Sequence, residues 1–157
     1  MVSVYPTGTT IYEPDKCWNG FTLLGGANLV DMNGQLQKTW DHVGFVKLLP
    51  DGQVYGIAQN GFRILQVDWE NNIVLEWDGS TCDEELEPHH DFQREGNPVG
   101  YYAPGTDPET TGRTLILCRT GVAGTDLVAG QVLDDRIIEV DNKGSIVWQW
   151  RSVDHVV

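Results

Sequence analysis

Leu29-Val30-Asp31-Met32-Asn33-Gly34-Gln35-Leu36-Gln37-Lys38-Thr39-Trp40 reads as a strand, a polar turn, a second strand and a tryptophan. The same order recurs in Gln66-Val67-Asp68-Trp69-Glu70-Asn71-Asn72-Ile73-Val74-Leu75-Glu76-Trp77 and in Glu139-Val140-Asp141-Asn142-Lys143-Gly144-Ser145-Ile146-Val147-Trp148-Gln149-Trp150. The aspartates stand at 31, 68 and 141, so the separations are 37 and 73 residues. The second is about twice the first, which implies either a long insertion or a degenerate extra unit. Asn33-Gly34 and Lys143-Gly144 supply residues that accept positive φ, as tight hairpins require, and Asn71-Asn72 serves the same purpose.

Working outward, a histidine follows each tryptophan. Asp41-His42-Val43-Gly44-Phe45 leads into Val46-Lys47-Leu48-Leu49, and Pro88-His89-His90-Asp91-Phe92 aligns with it. Val153-Asp154-His155-Val156 begins the same step. A Pro50-Asp51-Gly52 turn leads on to Val54-Tyr55-Gly56-Ile57-Ala58, and Gly61-Phe62-Arg63-Ile64-Leu65 opens the next unit. One unit is therefore four short strands in about forty residues, the period of a β-propeller blade. A β-sandwich is the rival, but the Asp, Gly and Trp recur at one place per unit. The expectation is an all-β chain of four-stranded antiparallel blades. It forms one domain over 1–157, with about three units at 12–60, 61–120 and 130–157. A loop rich in acids, Pro, Gly and Tyr is expected as an insertion at about 78–113. Closed propellers have four to eight blades, and open sheet edges recruit other chains. Three blades therefore read as a partial propeller, either a fragment or a subunit closed by another polypeptide or a copy of itself.

Bulk composition narrows the partners. With 40% hydrophobic and 21% charged residues the chain is globular rather than disordered. The net charge of −13 repels nucleic-acid phosphates and anionic membranes, so neither is expected as a partner. An anionic substrate would need local Arg and His to reverse that field. Met1–Pro6 shows no basic segment followed by an apolar core, so no signal peptide is visible and a cytoplasmic place is expected unless the chain is processed. Cys17, Cys82 and Cys118 lack close spacing and are odd in number, which predicts free thiols, with Cys118 in a buried strand.

Several motifs then point to a family. Gly8-Thr9-Thr10-Ile11-Tyr12-Glu13-Pro14-Asp15-Lys16 with Gly20-Phe21-Thr22-Leu23-Leu24 resembles the opening of the arylsulfotransferase (arylsulfate sulfotransferase) propellers. The Leu29–Trp40 segment, the His89-His90-Asp91 step, and Thr114-Leu115-Ile116-Leu117-Cys118-Arg119 followed by Ile137–Asp141 are also similar to that family. The resemblance implies a six-bladed propeller fold. It also implies transfer of a sulfuryl group between phenols through a histidine in the central channel, without a nucleotide donor or other cofactor. Carried over, His89 or His90 is the channel histidine and Arg119 the strand-end arginine that holds the sulfate. Asp91 stands where the family can have Asn two places after a His. The family's nucleophilic His lies in a later blade, so activity is expected to need residues from another chain.

Read for chemistry, sulfuryl transfer needs a nucleophile, cations on the equatorial oxygens and an acid for the leaving phenol. A neutral imidazole can attack, and an Arg fork matches two sulfate oxygens. His89, His90 and Arg119 are the candidate catalytic residues. Asp91, His42, Tyr101, Tyr102 and His155 are the candidate substrate-binding residues, and His42, His89 and His155 are expected to converge near the axis. The partner would be an aryl sulfate or phenol. A metal reading from His89, His90, Asp91 and the acidic run Asp83–Glu87 is weaker, because neighbouring strand residues point to opposite faces. The Asp, Gly and Trp repeat also resembles the blade motif of quinone-cofactor dehydrogenases, but no calcium-ligand set accompanies it. Trp40, Trp77 and Trp150 are expected to pack between blades. The alternative function is a non-catalytic propeller-type binding or structural subunit.

Overall fold

The computed structural model describes residues 11–96, 102–107, 111–125 and 128–155. These form three antiparallel sheets, with short 3-10 turns and no α-helix among the described residues. The first sheet is β1 (Phe21–Leu24), β2 (Asn28–Asp31) and β3 (Leu36–Thr39). The second is β4 (Val43–Leu48), β5 (Val54–Ala58), β6 (Arg63–Val67) and β7 (Ile73–Asp78). The third is β8 (Glu87–Arg94), β9 (Thr114–Thr125), β10 (Val128–Val140) and β11 (Ile146–Arg151). Within each sheet every strand pairs with its neighbour in sequence, which is the all-β, propeller-like arrangement that the repeat predicts.

The repeated segment is the last hairpin of each sheet. Asp31 Oδ1 accepts the N–H groups of Asn33 and Gln35, both at 2.9 Å. Asp141 Oδ1 accepts those of Lys143 and Ser145 at the same distance, and Asp68 Oδ1 accepts that of Asn72 at 2.7 Å. Three residues after each aspartate the backbone turns left-handed, with φ of 79° at Gly34, 70° at Asn71 and 83° at Gly144. The recurring Asp and Gly or Asn are thus hairpin chemistry.

Consecutive sheets stack face to face. Trp40, Val43, Val54, Ala58, Leu65 and Val67 form the core between the first and second sheets. Tyr55, Ile64, Trp77, Phe92, Ile116 and Ile138 belong to the core between the second and third. On β5, Val54 and Ala58 face one way while Tyr55 and Ile57 face the other, as a two-residue period requires. The middle sheet is covered on both faces, so β5 and β6 read as almost continuous apolar runs.

Each covered tryptophan rests on the aspartate turn of the following sheet. Trp40 is buried and its Nε1 donates to the Asp68 carbonyl at 2.9 Å. Trp77 is buried with Cδ1 only 3.5 Å from where a Cβ on Gly144 would stand. Both pack between sheets as expected. Trp150 has no described sheet beyond it, is 37% exposed, and stacks on His155.

Three organisational expectations change. The units at 12–60, 61–120 and 130–157 run about half a repeat out of phase with the sheets, which cover 21–39, 43–78 and 87–151. The chain crosses to the next sheet after the tryptophan, within three residues of Trp40 and through 79–86 after Trp77. The 78–113 stretch is not one insertion loop, because β8 lies within it as the first strand of the third sheet. The long separation holds no degenerate extra sheet among the described residues. It is taken up by the 95–113 connection and by β9 and β10, which have 12 and 13 residues against 5 each in β5 and β6.

The cysteines are free, and Cys118 is buried in β9, where burial pushes its thiol up to about 12. Among the described residues no helix is long and apolar enough to cross a membrane.

Candidate functional site

The His-His-Asp step sits in a bulge. The β8–β9 register runs Glu87↔Arg119 and Pro88↔Cys118, then resumes at Phe92↔Ile116. His89, His90 and Asp91 therefore arch out of the ladder, and bulges of this kind re-aim side chains. His90 takes φ of 57°, a left-handed conformation that costs a non-glycine residue about 1 kcal/mol or more. The turn folds the two imidazoles onto each other, with ring centroids 5.0 Å apart and planes at 84°. The expectation that neighbouring histidines point to opposite faces fails here, because it holds only for a regular strand. The aligned step on β4 is also irregular, with a register shift between Val43 and Phe45.

The half-buried His89 brings Nε2 to 3.3 Å from Asp135 Oδ1, within ion-pair reach but off the line of a hydrogen bond. His90 is exposed. Asp135 lies opposite Arg119 across the β9–β10 ladder, so His89, Asp135, Arg119 and Glu87 make one cluster. Arg119 is the decisive member. Its Nε and Nη2 donate to the two carboxylate oxygens of Glu87, each at 2.9 Å. The Arg119 fork, aided by its charge, holds the Glu87 carboxyl below its ordinary range, and Glu87 in turn raises Arg119. The fork expected to take a sulfate is thus filled by a carboxylate of the same chain.

Asp91 acts as a strut between sheets. It accepts Lys47 Nζ at 2.6 Å, and that lysine also donates to the Phe92 carbonyl at 2.6 Å. Lys47 holds the Asp91 carboxyl below its usual value. Phe45 and Phe92 meet edge to face at 5.9 Å beside this contact, which locks β4 to β8.

The remaining candidates are not gathered here. His42 is exposed just before β4, and its carbonyl accepts the Gln59 N–H at 3.3 Å. His155 stacks on Trp150 with centroids 5.0 Å apart and planes at 9°. Its ring contact is with Trp150, and that of His89 is with His90. Tyr102 is exposed and leans on Gly52, in the turn after β4, whereas His42 precedes that strand. Tyr101 lies outside the described residues.

A cleft of about 350 Å³ opens beside the cluster, with Phe62, Glu84, Glu85, Glu87, Arg119 and Leu133 among its walls. Three carboxylates and one paired guanidinium give it a field that disfavours anions. Behind it, the fully buried Asp134 carboxylate accepts Val153 N–H at 2.9 Å and Ser152 Oγ at 2.8 Å on one oxygen. Its other oxygen takes Arg136 Nε at 3.1 Å and Arg151 Nε at 3.3 Å. Burial alone would raise Asp134, but these donors together hold it below its ordinary value. Glu84 reaches from the cleft to pair with Arg136.

Glu87, Lys47, Asp134 and Asp135 were not singled out in the sequence. Glu87 was visible there only as part of an acidic run. Its tie to Arg119 depends on the β8–β9 register, which an irregular strand conceals. Among the described residues no group of three or more His, Cys, Asp or Glu is placed to hold a metal. No family model, curated protein or solved structure matches the chain.

Proposed function

We propose that the chain is a propeller-type structural and binding module that assembles with another polypeptide, rather than a self-contained sulfuryl transferase. The observation that carries this reading is the Arg119–Glu87 fork. A sulfate ester would have to displace a carboxylate held by two hydrogen bonds, beside two further glutamates. The test is release of phenol from a chromogenic aryl sulfate, with a second phenol present as acceptor. The expected result is no release above the blank. Turnover that disappears in His89→Ala or His90→Ala would overturn the reading.

Sulfuryl transfer is the second reading, and one feature favours it. An exposed imidazole held left-handed in a bulge, in contact with a second imidazole, is the kind of backbone strain that clusters at working sites. In that chemistry His89 or His90 nitrogen attacks sulfur, the S–O bond of the ester breaks, and the leaving phenolate takes a proton from water. The oxygen of the second phenol then attacks that sulfur, the N–S bond breaks to return the imidazole, and the phenol's proton passes to solvent. Other chains would have to supply the anion-binding cations. Turnover by the assembled form, lost in His90→Ala, is what this reading requires.

A further inference from the structure

The outward face of the third sheet repeats a surface that elsewhere in the chain is covered. Leu117, Ile137 and Trp150 form one cross-strand row on it. Ile137 and Trp150 are both more than a third exposed, and Trp148 is more exposed still. Trp150 follows Asp141 by the same interval that separates Trp40 from Asp31 and Trp77 from Asp68. Those two tryptophans are buried on the aspartate turn of the next sheet. The third is presented in the same phase with no described sheet to receive it.

The matching half of the contact is also exposed. Val67 and Val140, each just before its aspartate, are buried against the preceding sheet. Val30 stands at the same position before Asp31 but has no described sheet on that side. It pairs with Leu36 on β3, and Leu24 lies on the same face; both leucines are largely exposed. The Asp31 turn has the geometry of the two turns that already carry a tryptophan.

We propose that the Trp150 face of one copy docks on the Asp31 turn and Leu24 face of a second copy, head to tail, and that the second copy returns the same contact. This rests on the reading of the chain as an assembling module and names its partner as itself. Two chains of three sheets make a ring of six, within the range of closed propellers. A head-to-tail contact that closes after two copies leaves neither apolar face in water.

The experiment is native mass by light scattering with four proteins: the parent chain, Trp150→Ala, Ile137→Arg and Leu24→Arg. The three substituted side chains are already partly exposed in the single chain, so the fold should survive, and circular dichroism checks that it does. The parent should show twice the 17.5 kDa chain mass. Each variant should weaken association by at least about thirtyfold per contact, the scale of a tryptophan hot spot. Mixing Trp150→Ala with Leu24→Arg should restore a dimer, because one of the two contacts is then intact. A monomeric parent, or a dimer indifferent to Trp150→Ala and Ile137→Arg, would overturn the proposal. So would a dimer lost in Trp150→Ala but kept in Leu24→Arg, since the third sheet would then pair with itself. Aryl sulfate turnover by a dimeric parent would sink the structural reading and leave this contact standing. A monomer without turnover would do the reverse.

Discussion

Replacing Asp134 by Asn keeps the side chain's shape and removes its charge. The carboxylate has no exposed surface, and Arg136 beside it is only 5% exposed. Removing one member of a buried ion pair typically costs about 3–5 kcal/mol, because the other is left uncompensated. Here Glu84 also pairs with Arg136 from a half-exposed position, which offsets part of that loss. The new amide would also aim a donor at groups that are themselves donors. We expect Asp134→Asn to cost about 2–3 kcal/mol at pH 7, or about 5–10 °C in Tm for a chain of this length.

The pH dependence follows from the direction of the shift. Asp134 is held below its ordinary value in the folded chain. Its contribution is therefore fully present above the unfolded value of about 3.9 and is lost as pH falls through the folded one. Urea denaturation of parent and variant at several pH values is the assay. The gap between them should be constant from about pH 5 to 7 and should close below about pH 4. A gap under about 1 kcal/mol at pH 7, or one unchanged in acid, would refute the account of this network. Faster hydrogen exchange at the Val153 amide should accompany the loss, since that N–H donates to Asp134.

Gly79→Ala should cost about 2–3 kcal/mol in a urea titration, because the added Cβ would fall 2.0 Å from the Leu86 carbonyl oxygen and 2.9 Å from the Trp77 ring; an unchanged midpoint would show that the 79–86 loop can move aside. His90→Gly should raise stability by about 0.5–1 kcal/mol by releasing a left-handed non-glycine residue, and a loss instead would mean that the contact with His89 outweighs the strain.

The parts of this fold legible in the sequence are those set by neighbours along the chain. Asp31, Asp68 and Asp141 close their own hairpins within four residues, so the repeat and its left-handed turns could be read directly. Burial of Trp40 and Trp77 followed from the same period. The assignment of strands to sheets did not, because whether 43–58 joins the sheet before or after it depends on pairing across a turn. The site was less legible still. Arg119 and His89 look like anion chemistry when named alone, yet their partners Glu87 and Asp135 are fixed only once β8, β9 and β10 are in register. The bulge that makes the histidines distinctive also breaks the alternation by which β8 would have been recognised. Lys47 and Asp91 are brought together by stacking of sheets, which no local pattern encodes.

The long connection between β8 and β9 also bears on the order of assembly. β4 and β5 are joined by 49–53, but β8 and β9 by 95–113, a stretch of chain about four times longer, and closing a stretch that much longer costs about 1.2 kcal/mol more in chain entropy. The β9–β10 pairing is local and needs no such closure. β8 pairs with β9 only once that longer stretch closes, and the pairing brings Ile116 to the core in which Phe92 meets Tyr55. Until that moment the inner face of the third sheet stands open, so this step is where a folding chain is most exposed to mispairing with another copy.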